Sequence, residues 1–420
     1  MKCDQTAEVV ITGFGAVTPV GNDRESTWCG LVAGSSGVGP ITAFDASGLP
    51  VRIAAEVRGF DPAEHLDHRR VRRTARFSQF AIAAAREAVR DAGLALGGDG
   101  HLLAARDETF AVVVNAAVAG FDTVETATRQ LLSRAPVSPY FVPSSLANMP
   151  ACEVSIDLAV HGPVLASALA CASGSEALLR ARQLILAGEA DIVIAGGTDA
   201  GITPVTFAGL IPSGALSRRN DDPSGACRPF DADRDGFVYG EGAVVAVIES
   251  LEHARRRGAV PYAEIAGGAL TSDAFHVTAP DPDGTYAGEA IRLALKRAGV
   301  APEELDYVCA HATGTKAGDR AETNAIRQAL GGAAYATVVS SPKSVTGHLI
   351  GAAGALSALA SAMAIRDGIV PPTVNLKTPD PECDLDYVPN VARPLAVRTA
   401  ITNTFGFGGQ NCVTVLRRIE

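Results

Sequence analysis

A cysteine in a turn made of small residues is the first candidate for chemistry in this sequence. Cys171 lies between an apolar run that starts at Pro163 and a helical run that starts near Gly174. A sulfur at a helix N-terminus faces unpaired backbone N–H groups that favour the thiolate, so we expect a lowered pKa. The alternative is a buried structural cysteine, which is how we interpret the other seven cysteines. Cys171 is therefore a candidate nucleophile.

Two histidines occupy comparable positions in the second half of the chain. His311 ends an apolar strand, and His348 comes directly before a helical run. Open α/β sheets place their active sites at strand ends and helix starts, although either histidine alone is more often a core residue. Six further histidines are expected at the surface or in loops: His65, His68, His101, His161, His253 and His276.

The C-terminal segment 403–410 is too rich in glycine for an ordinary strand. Its glycines would let backbone N–H groups face a ligand. A phosphate-binding loop would need a Lys-Ser/Thr pair that does not follow, so a backbone oxyanion hole is the better interpretation. The acidic segment 231–236 resembles the start of a calcium-binding EF-hand loop. The twelfth position, which should be Glu, is Gly242, so we reject a calcium site.

Composition and charge restrict the class of protein. The 420 residues are 47% hydrophobic and 20% charged, which is typical of an enzyme with a large core. The net charge of -10 argues against nucleic acid or anionic membrane as a partner. No apolar run approaches the roughly 18–20 residues that span a bilayer. The cysteines are scattered, which favours neither disulfides nor a metal site, and a reducing cytoplasm is the expected location.

The chain contains one plan twice. Strand, helix, strand and helix follow one another in the same order in both halves, with the seam near residues 255–260. The matched pairs are 9–12 with 263–266, 83–94 with 289–300, 110–114 with 307–310, and 174–188 with 354–368. Extra length in the first half falls mainly in 20–75 and 120–160. This alternation predicts largely parallel sheets covered by helices.

Four motifs in this order resemble those of the β-ketoacyl-ACP synthases, the condensing enzymes that use acyl carrier protein (ACP). The motifs are Ala-Cys-Ala-Ser-Gly at 170–174, His-Ala-Thr-Gly-Thr at 311–315, Lys343 with Gly-His at 347–348, and Phe-Gly-Phe-Gly-Gly at 405–409. The resemblance covers essentially the whole chain. It is closest to the elongating enzymes of fatty-acid synthesis and to type II polyketide ketosynthases.

The resemblance implies an α/β, thiolase-like fold of two similar βαβαβαββ halves in a five-layered α-β-α-β-α structure. Residues 1–255 would form the N-terminal half, which carries the nucleophilic cysteine and insertions for lids and dimer contacts. Residues 256–420 would form the C-terminal half, which carries both histidines and the glycine-rich loop.

The resemblance also implies a reaction. Cys171 would accept an acyl chain from ACP as a thioester. His311 and His348 would hold the thioester carbonyl of malonyl-ACP and help its decarboxylation, and the carbanion would attack the acyl-Cys171 carbonyl to give 3-ketoacyl-ACP and CO₂. Two neutral imidazoles that donate N–H bonds supply a place for the enolate charge without a metal. A nearby cation, Lys343, would keep their pKa values low.

Further roles follow from the same resemblance. The backbone N–H groups of Cys171 and Phe407 would form the oxyanion hole, and Lys343 with Glu322 would be a charged pair that orders the histidines. The expected substrate contacts are Thr313 and Thr315 for the phosphopantetheine arm, Phe407 as a gate, and Val118 as a pocket wall near a dimer interface. A cationic run would dock acidic ACP, namely Arg69, Arg70, Arg72 and Arg73; otherwise it is a solvated helix face. No cofactor or metal is expected beyond the phosphopantetheine of ACP.

The pathway and the partner subunit are left open by the sequence. The closing motif resembles fatty-acid-type synthases, which favours a reduced or polyene-like chain. A non-catalytic chain-length-factor-type partner is one alternative, and it would lack the active cysteine. A CoA-dependent thiolase-superfamily relative is the other, and a thiolase would want a second catalytic cysteine near the glycine loop, where Cys412 lies. Family members are dimers, so either a homodimer or a heterodimer with a chain-length factor is expected.

Overall fold

The computed structural model describes residues 8–106 and 109–420. Cys3 lies outside the described residues. Ten strands, numbered in chain order, form one continuous sheet: β1 (Val9–Val17), β2 (Phe110–Asn115), β3 (Val164–Leu165), β4 (Ile192–Asp199), β5 (Gly242–Ser250), β6 (Ala263–Ser272), β7 (Tyr307–Cys309), β8 (Val338–Ser340), β9 (Thr399–Gly406) and β10 (Gln410–Arg417). Two small ladders stand apart, Gly39–Pro40 with Ile53–Ala54 and Ile369–Val370 with Arg393–Pro394.

Helices cover the sheet on several sides. In chain order they are α1 (Arg24–Ala33), α2 (His68–Arg73), α3 (Arg76–Asp91), α4 (Phe121–Leu132), α5 (Phe141–Ser145), α6 (Met149–Leu158), α7 (Ser173–Leu186), α8 (Pro204–Leu210), α9 (Leu251–Arg256), α10 (Thr285–Ala298), α11 (Lys316–Leu330), α12 (Lys343–Thr346) and α13 (Ala353–Asp367). Within the two described ranges, no helix combines the length and apolar character needed to cross a membrane.

The internal duplication is confirmed by the strand order, β3-β2-β4-β5-β1-β6-β10-β9-β7-β8. In the first half β3, β2 and β4 are parallel, and β5 and β1 continue the sheet with antiparallel pairs. The second half repeats this pattern with β8, β7, β9, β10 and β6. β1 and β6 join the halves through the pairs Val10–Glu264 and Ile11–Ala263. Each half therefore reads βαβαβαββ, with α3, α6 and α7 or α10, α11 and α13 as its helices.

The five layers follow from which helix faces are buried. α3 and α6 pack on the outer face of the first half-sheet, and α10 and α11 pack on the outer face of the second. α7 and α13 share one core with strands of both halves, and α13 is buried from Ala353 to Ile365. A helix that is apolar on all sides can only lie inside the protein. The layer order is thus α-β-α-β-α.

The two central helices meet at their N-termini. A Cβ added to Gly174 of α7 would lie 2.7 Å from the backbone nitrogen of Ala355. A Cβ added to Gly354 of α13 would lie 2.5 Å from the backbone nitrogen of Ser175. Only glycine allows this approach, which brings the turns before the two helices together.

Three expectations about the fold are wrong. The described sheet is mixed and not largely parallel, because five of its nine strand pairings are antiparallel. The glycine-rich segment is not irregular, because residues 403–406 complete β9 and pair with β10 through a tight turn at 407–409. A long segment between β4 and β5, residues 200–241, is a further insertion of the first half that the sequence analysis missed. In the second half the matching strands, β9 and β10, are joined by that short turn.

Candidate active site

Cys171 lies in a 3₁₀ turn, Ala170–Ala172, directly before α7. Ala170 adopts a positive φ of 46°, which is strained for a residue with a Cβ. The side chain of Asn115 fixes the turn, because its Nδ2 donates to the carbonyl of Ser173 at 2.9 Å and its Oδ1 accepts from the N–H of Ser167 at 2.8 Å. The end of β2 therefore holds the cysteine in place.

The structure brings Cys171, His311 and His348 together. His348 Nε2 lies 2.9 Å from Cys171 Sγ, and the two imidazole rings are 5.4 Å apart at an interplanar angle of 85°. One nitrogen or sulfur atom from each residue lies within 4.8 Å of the others. The backbone N–H of Ile350 points at His348 Nδ1 at 3.3 Å, so Nδ1 accepts and Nε2 carries the proton that faces the sulfur.

Both histidines are kept neutral. Burial lowers the pKa of His311 and of His348 well below the usual value, and the positive charge of Lys343 lowers both further. Each neutral imidazole still carries one N–H group, which can donate a hydrogen bond to an oxygen atom. Burial is thus a larger cause of the low pKa values than the Lys343 charge that was expected from the sequence.

Glu322 fastens the strand end that carries His311. Its carboxylate accepts the backbone N–H of His311 at 2.8 Å and that of Ala312 at 2.6 Å. The side chain of Asn403 donates to the same carboxylate at 2.9 Å. The predicted pair of Lys343 with Glu322 is not a direct contact, because Lys343 Nζ is buried and has no hydrogen-bond partner among the described residues; the two act on each other only through their charges. Asn403 was missed, although a buried amide within an apolar strand is a recognisable signal.

The expected lowering of the Cys171 pKa is wrong. Burial raises the pKa of the thiol to about 11, despite the opposing effects of Lys343 and of the backbone N–H groups of Phe407 and Cys171. The free energy of removing a thiolate from water exceeds what the nearby positive charge and dipoles return. Cys171 therefore rests as a neutral thiol, although N–H groups do face it.

This resting state predicts an unusual pH dependence of alkylation. The rate of Cys171 modification by iodoacetamide should rise about tenfold per pH unit from pH 7 to 9.5, because the thiolate fraction does so below the pKa. Peptide mass spectrometry measures the rate, with Cys29 as an internal control, because Cys29 is exposed and not buried as the sequence predicted. Lys343→Met should slow the reaction further, since Lys343 favours the thiolate. A plateau by pH 8 would contradict the raised pKa.

A cavity of about 1300 Å³ opens in front of the three residues. Its walls include the other predicted substrate contacts, namely Val118, Thr313, Thr315 and Phe407. The hydroxyl oxygens of Thr313 and Thr315 are 3.2 Å apart, and Phe407 is 38% exposed at the turn between β9 and β10. The structure thus gathers every predicted catalytic and substrate-contact residue except Lys343 along this cavity; Lys343 lies buried behind it, close enough for its charge to act on both histidines.

Asp199 is a buried residue of the site that the sequence analysis missed. Its carboxylate accepts four backbone N–H groups, from Ala117, Val118, Ala119 and Gly351, at 2.8 to 3.1 Å. Burial raises its pKa to about 6. Asp199 thereby ties the pocket wall around Val118 to the turn that follows His348. Nothing in its sequence context, the end of an apolar strand, indicates these partners.

The cationic run on α2 is divided by the structure. Arg69 and Arg72 are exposed, and Arg73 is partly buried. Arg70 instead forms ion pairs with Asp157 and Glu153 of α6. Arg70 is engaged within the fold, so the candidate docking surface reduces to its exposed neighbours.

Several alternatives lose support from the geometry. Cys412 lies within β10, is fully buried in the core and does not line the cavity. Asp231 accepts backbone N–H groups of Asp233, Lys377 and Thr378, so its carboxylate is used inside the fold. His253, expected at the surface, is buried and paired with Glu249.

Comparisons with known proteins agree with this arrangement. The models of the beta-ketoacyl synthase N-terminal and C-terminal domains match residues 6–254 and 262–377. The 3-oxoacyl-[acyl-carrier-protein] synthase 2 of Synechocystis sp. is 46% identical over 98% of this chain and 98% of its own length. The protein of the same name from Staphylococcus aureus strain N315 is 45% identical over 99% of each chain.

Solved structures of ketosynthases have the same fold as this chain. The ishigamide ketosynthase/chain length factor has a TM-score of 0.90 at 37% identity, covering 99% of this chain and 100% of that one. A type II polyketide acyl-carrier protein in complex with its ketosynthase bound to the hexaketide gives a TM-score of 0.89 at 32% identity, with the same coverage. With its whole length matched and a thiolase-like arrangement of strands and helices, this chain belongs to the beta-ketoacyl synthase family.

Proposed function

We propose that this protein is a β-ketoacyl-ACP synthase that joins a Cys171-bound acyl chain to malonyl-ACP with loss of CO₂. The observation that supports it most directly is the contact of 2.9 Å between Cys171 Sγ and His348 Nε2, with neutral His311 beside them at the cavity wall. A nucleophile and two neutral N–H donors are what a decarboxylative condensation requires.

The first half-reaction loads the acyl chain. The sulfur of Cys171 attacks the thioester carbonyl of acyl-ACP, and the ACP thiol leaves with the proton that the cysteine loses. The negative oxygen of the intermediate faces the backbone N–H groups of Cys171 and Phe407, which serve as the oxyanion hole. Because the resting thiol is neutral, deprotonation accompanies attack and does not precede it.

The second half-reaction forms the carbon–carbon bond. The N–H groups of His311 and His348 hold the thioester oxygen of malonyl-ACP, and the enolate charge that appears as CO₂ leaves is stabilised there. The carbanion attacks the acyl-Cys171 carbonyl, and the Cys171 thiolate departs and takes up one proton from solvent, which restores the neutral resting thiol. The products are 3-ketoacyl-ACP and CO₂. Glu322 and Lys343 touch no substrate here and act as positioning residues for the histidines.

The two alternative functions are less well supported. A chain-length-factor-type partner subunit would not need the assembled Cys171–His311–His348 group. A thiolase-type CoA-dependent relative would need a second cysteine in the cavity, and Cys412 is in the core. We propose fatty-acid or type II polyketide elongation as the pathway, with residues 1–255 and 256–420 as the two units and the cytoplasm as the location.

Intact-protein mass spectrometry tests the proposal. Incubation with acyl-ACPs of increasing length should add one acyl mass, located on the peptide that contains Cys171. Addition of malonyl-ACP should remove that mass, release CO₂ and produce 3-ketoacyl-ACP. The same result is expected after dialysis against EDTA, since the three residues act without a metal. An adduct elsewhere, no adduct at all, or activity that EDTA removes and zinc restores would contradict the mechanism.

A dimer is part of the proposal. β3 lies at one end of the sheet, and its outer edge has no neighbouring strand among the described residues. Apolar side chains are exposed on β3 itself and on α6, which contacts it: Leu165 is 39% exposed and Ile156 is 57% exposed. A free strand edge beside an exposed apolar surface is suited to pairing with another chain. Either a second copy or a chain-length-factor-type subunit fits, and native mass spectra of the protein alone and co-expressed distinguish them.

We propose ACP docking at the exposed arginines of α2. The double substitution Arg69→Glu and Arg72→Glu should raise KM for acyl-ACP about tenfold or more at low ionic strength, since opposite charges speed and orient the encounter. Arg255→Glu together with Arg256→Glu, on helix α9, makes the same change in charge at two exposed positions and serves as the control. An unchanged KM for the double variant at low salt would remove the docking surface from the proposal.

A further inference from the structure

Tyr239 is a polar residue in the wall of the acyl cavity that the mechanism above does not use. Its backbone is fixed beside the catalytic centre, because the segment that contains it pairs with the segment at His348. Gly240 N–H donates to the His348 carbonyl at 2.9 Å, and the Tyr239 carbonyl accepts the N–H of Ala55 at 2.8 Å. The side chain lines the same cavity as Cys171.

The hydroxyl of Tyr239 is buried without a partner. The residue is 1% exposed, and its hydroxyl oxygen makes no hydrogen bond within the described part of the chain. Burial, together with the negative charge of Asp199, raises its pKa, so the hydroxyl stays protonated and able to donate. Proteins seldom leave a buried hydroxyl unpaired, because its lost hydration is not replaced.

The position of the hydroxyl is built into the fold. A Cβ on residue 201 would lie 2.3 Å from the Tyr239 hydroxyl oxygen and 3.2 Å from Val118 Cγ1. Gly201 thus leaves the space that the hydroxyl occupies beside the pocket wall. The ring packs against Phe207 at 5.8 Å between centroids. These close contacts are apolar or glycine, and no described residue bonds to the hydroxyl.

We propose that the Tyr239 hydroxyl donates a hydrogen bond to an oxygen atom carried by the acyl chain on Cys171. The enzyme would then prefer chains that keep a keto or hydroxyl oxygen at one position over fully reduced chains of the same length. This inference rests on the proposed function and adds a substrate class to it. A partly reduced chain with one retained oxygen remains compatible with the closing motif at 405–411.

Competition between acyl-ACPs of equal length tests the inference. One chain is saturated, and the others carry a single keto or hydroxyl oxygen at successive carbons. For the wild type, kcat/KM for the best oxygenated chain should exceed that for the saturated chain about tenfold, the effect of one hydrogen bond. In Tyr239→Phe this ratio should fall to about one. Tyr262→Phe removes a hydroxyl bonded to Asp91 away from the cavity, and it should keep the wild-type ratio.

The outcomes distinguish a failure of the inference about Tyr239 from a failure of the proposed condensing activity. A wild-type ratio near one at every position would overturn the inference and leave the condensing activity intact, as would a preference that survives in Tyr239→Phe. An ordered water on the hydroxyl would produce the first of these results. Failure of both proteins to elongate any chain would instead overturn the proposed function, and the inference with it.

Discussion

Replacement of Cys171 by alanine is expected to abolish condensation, with a loss of at least about 10³-fold, because no covalent acyl intermediate can form. Decarboxylation of malonyl-ACP should remain measurable, since His311 and His348 keep their N–H groups and their cavity. The measurement is parallel assay of CO₂ release and of 3-ketoacyl-ACP formation with the same protein. In the wild type, CO₂ release and 3-ketoacyl-ACP formation occur together. In Cys171→Ala, only CO₂ release should remain.

A matched cysteine variant makes this result specific. Cys29→Ala changes an exposed cysteine of α1 and should leave both signals at wild-type level. Thermal unfolding of Cys171→Ala should be close to that of the wild type, because only one sulfur atom at the cavity wall is removed. Condensation that persists in Cys171→Ala would show that the nucleophile lies elsewhere.

His311→Ala is expected to lose decarboxylation and to keep acylation of Cys171. Decarboxylation should fall on the order of 10²–10⁴-fold, because one of the two donors to the enolate oxygen is lost. Acylation of Cys171 should remain detectable, because the contact of the sulfur with His348 and the N–H groups of Cys171 and Phe407 are retained. Mass spectrometry of the acyl-enzyme and release of labelled CO₂ measure the two steps separately.

His101→Ala is the control for this variant, since His101 is exposed and does not line the cavity. It should leave acylation and decarboxylation unchanged. If His311→Ala lost acylation and kept decarboxylation, the assignment of the histidine to the second half-reaction would be wrong. Loss of both steps with normal unfolding would place His311 in the loading step as well.

The positions of the reactive residues could be predicted because they follow from local sequence. A small-residue turn before a helix, and histidines at a strand end and before a helix, are recognisable without tertiary information. The repeat of elements predicted both halves of the fold for the same reason. What brings Cys171 within reach of His348 is the close contact of α7 and α13, which neither segment indicates by itself.

Properties that depend on burial could not be predicted in this way. The sign of the Cys171 pKa shift is set by a competition between desolvation and nearby N–H groups and charge, and the sequence shows only the second. Arg70 looked like its neighbours in the cationic run until α6 supplied Asp157. The partners of Asp199 and the position of the Tyr239 hydroxyl are set by segments far apart in the chain. Each requires the packed structure.

Fusion of two copies into one chain makes the turns before α7 and α13 independent of each other. The two turns have the same backbone conformation at matching positions, since Ala170 has φ of 46° and Ile350, its counterpart, has φ of 52°. Two identical half-length chains paired at this contact would present the same side chain from both sides. A single centre with sulfur on one side and imidazole on the other needs unequal turns. When both copies are in one chain, each turn is encoded separately and can keep its own side chains.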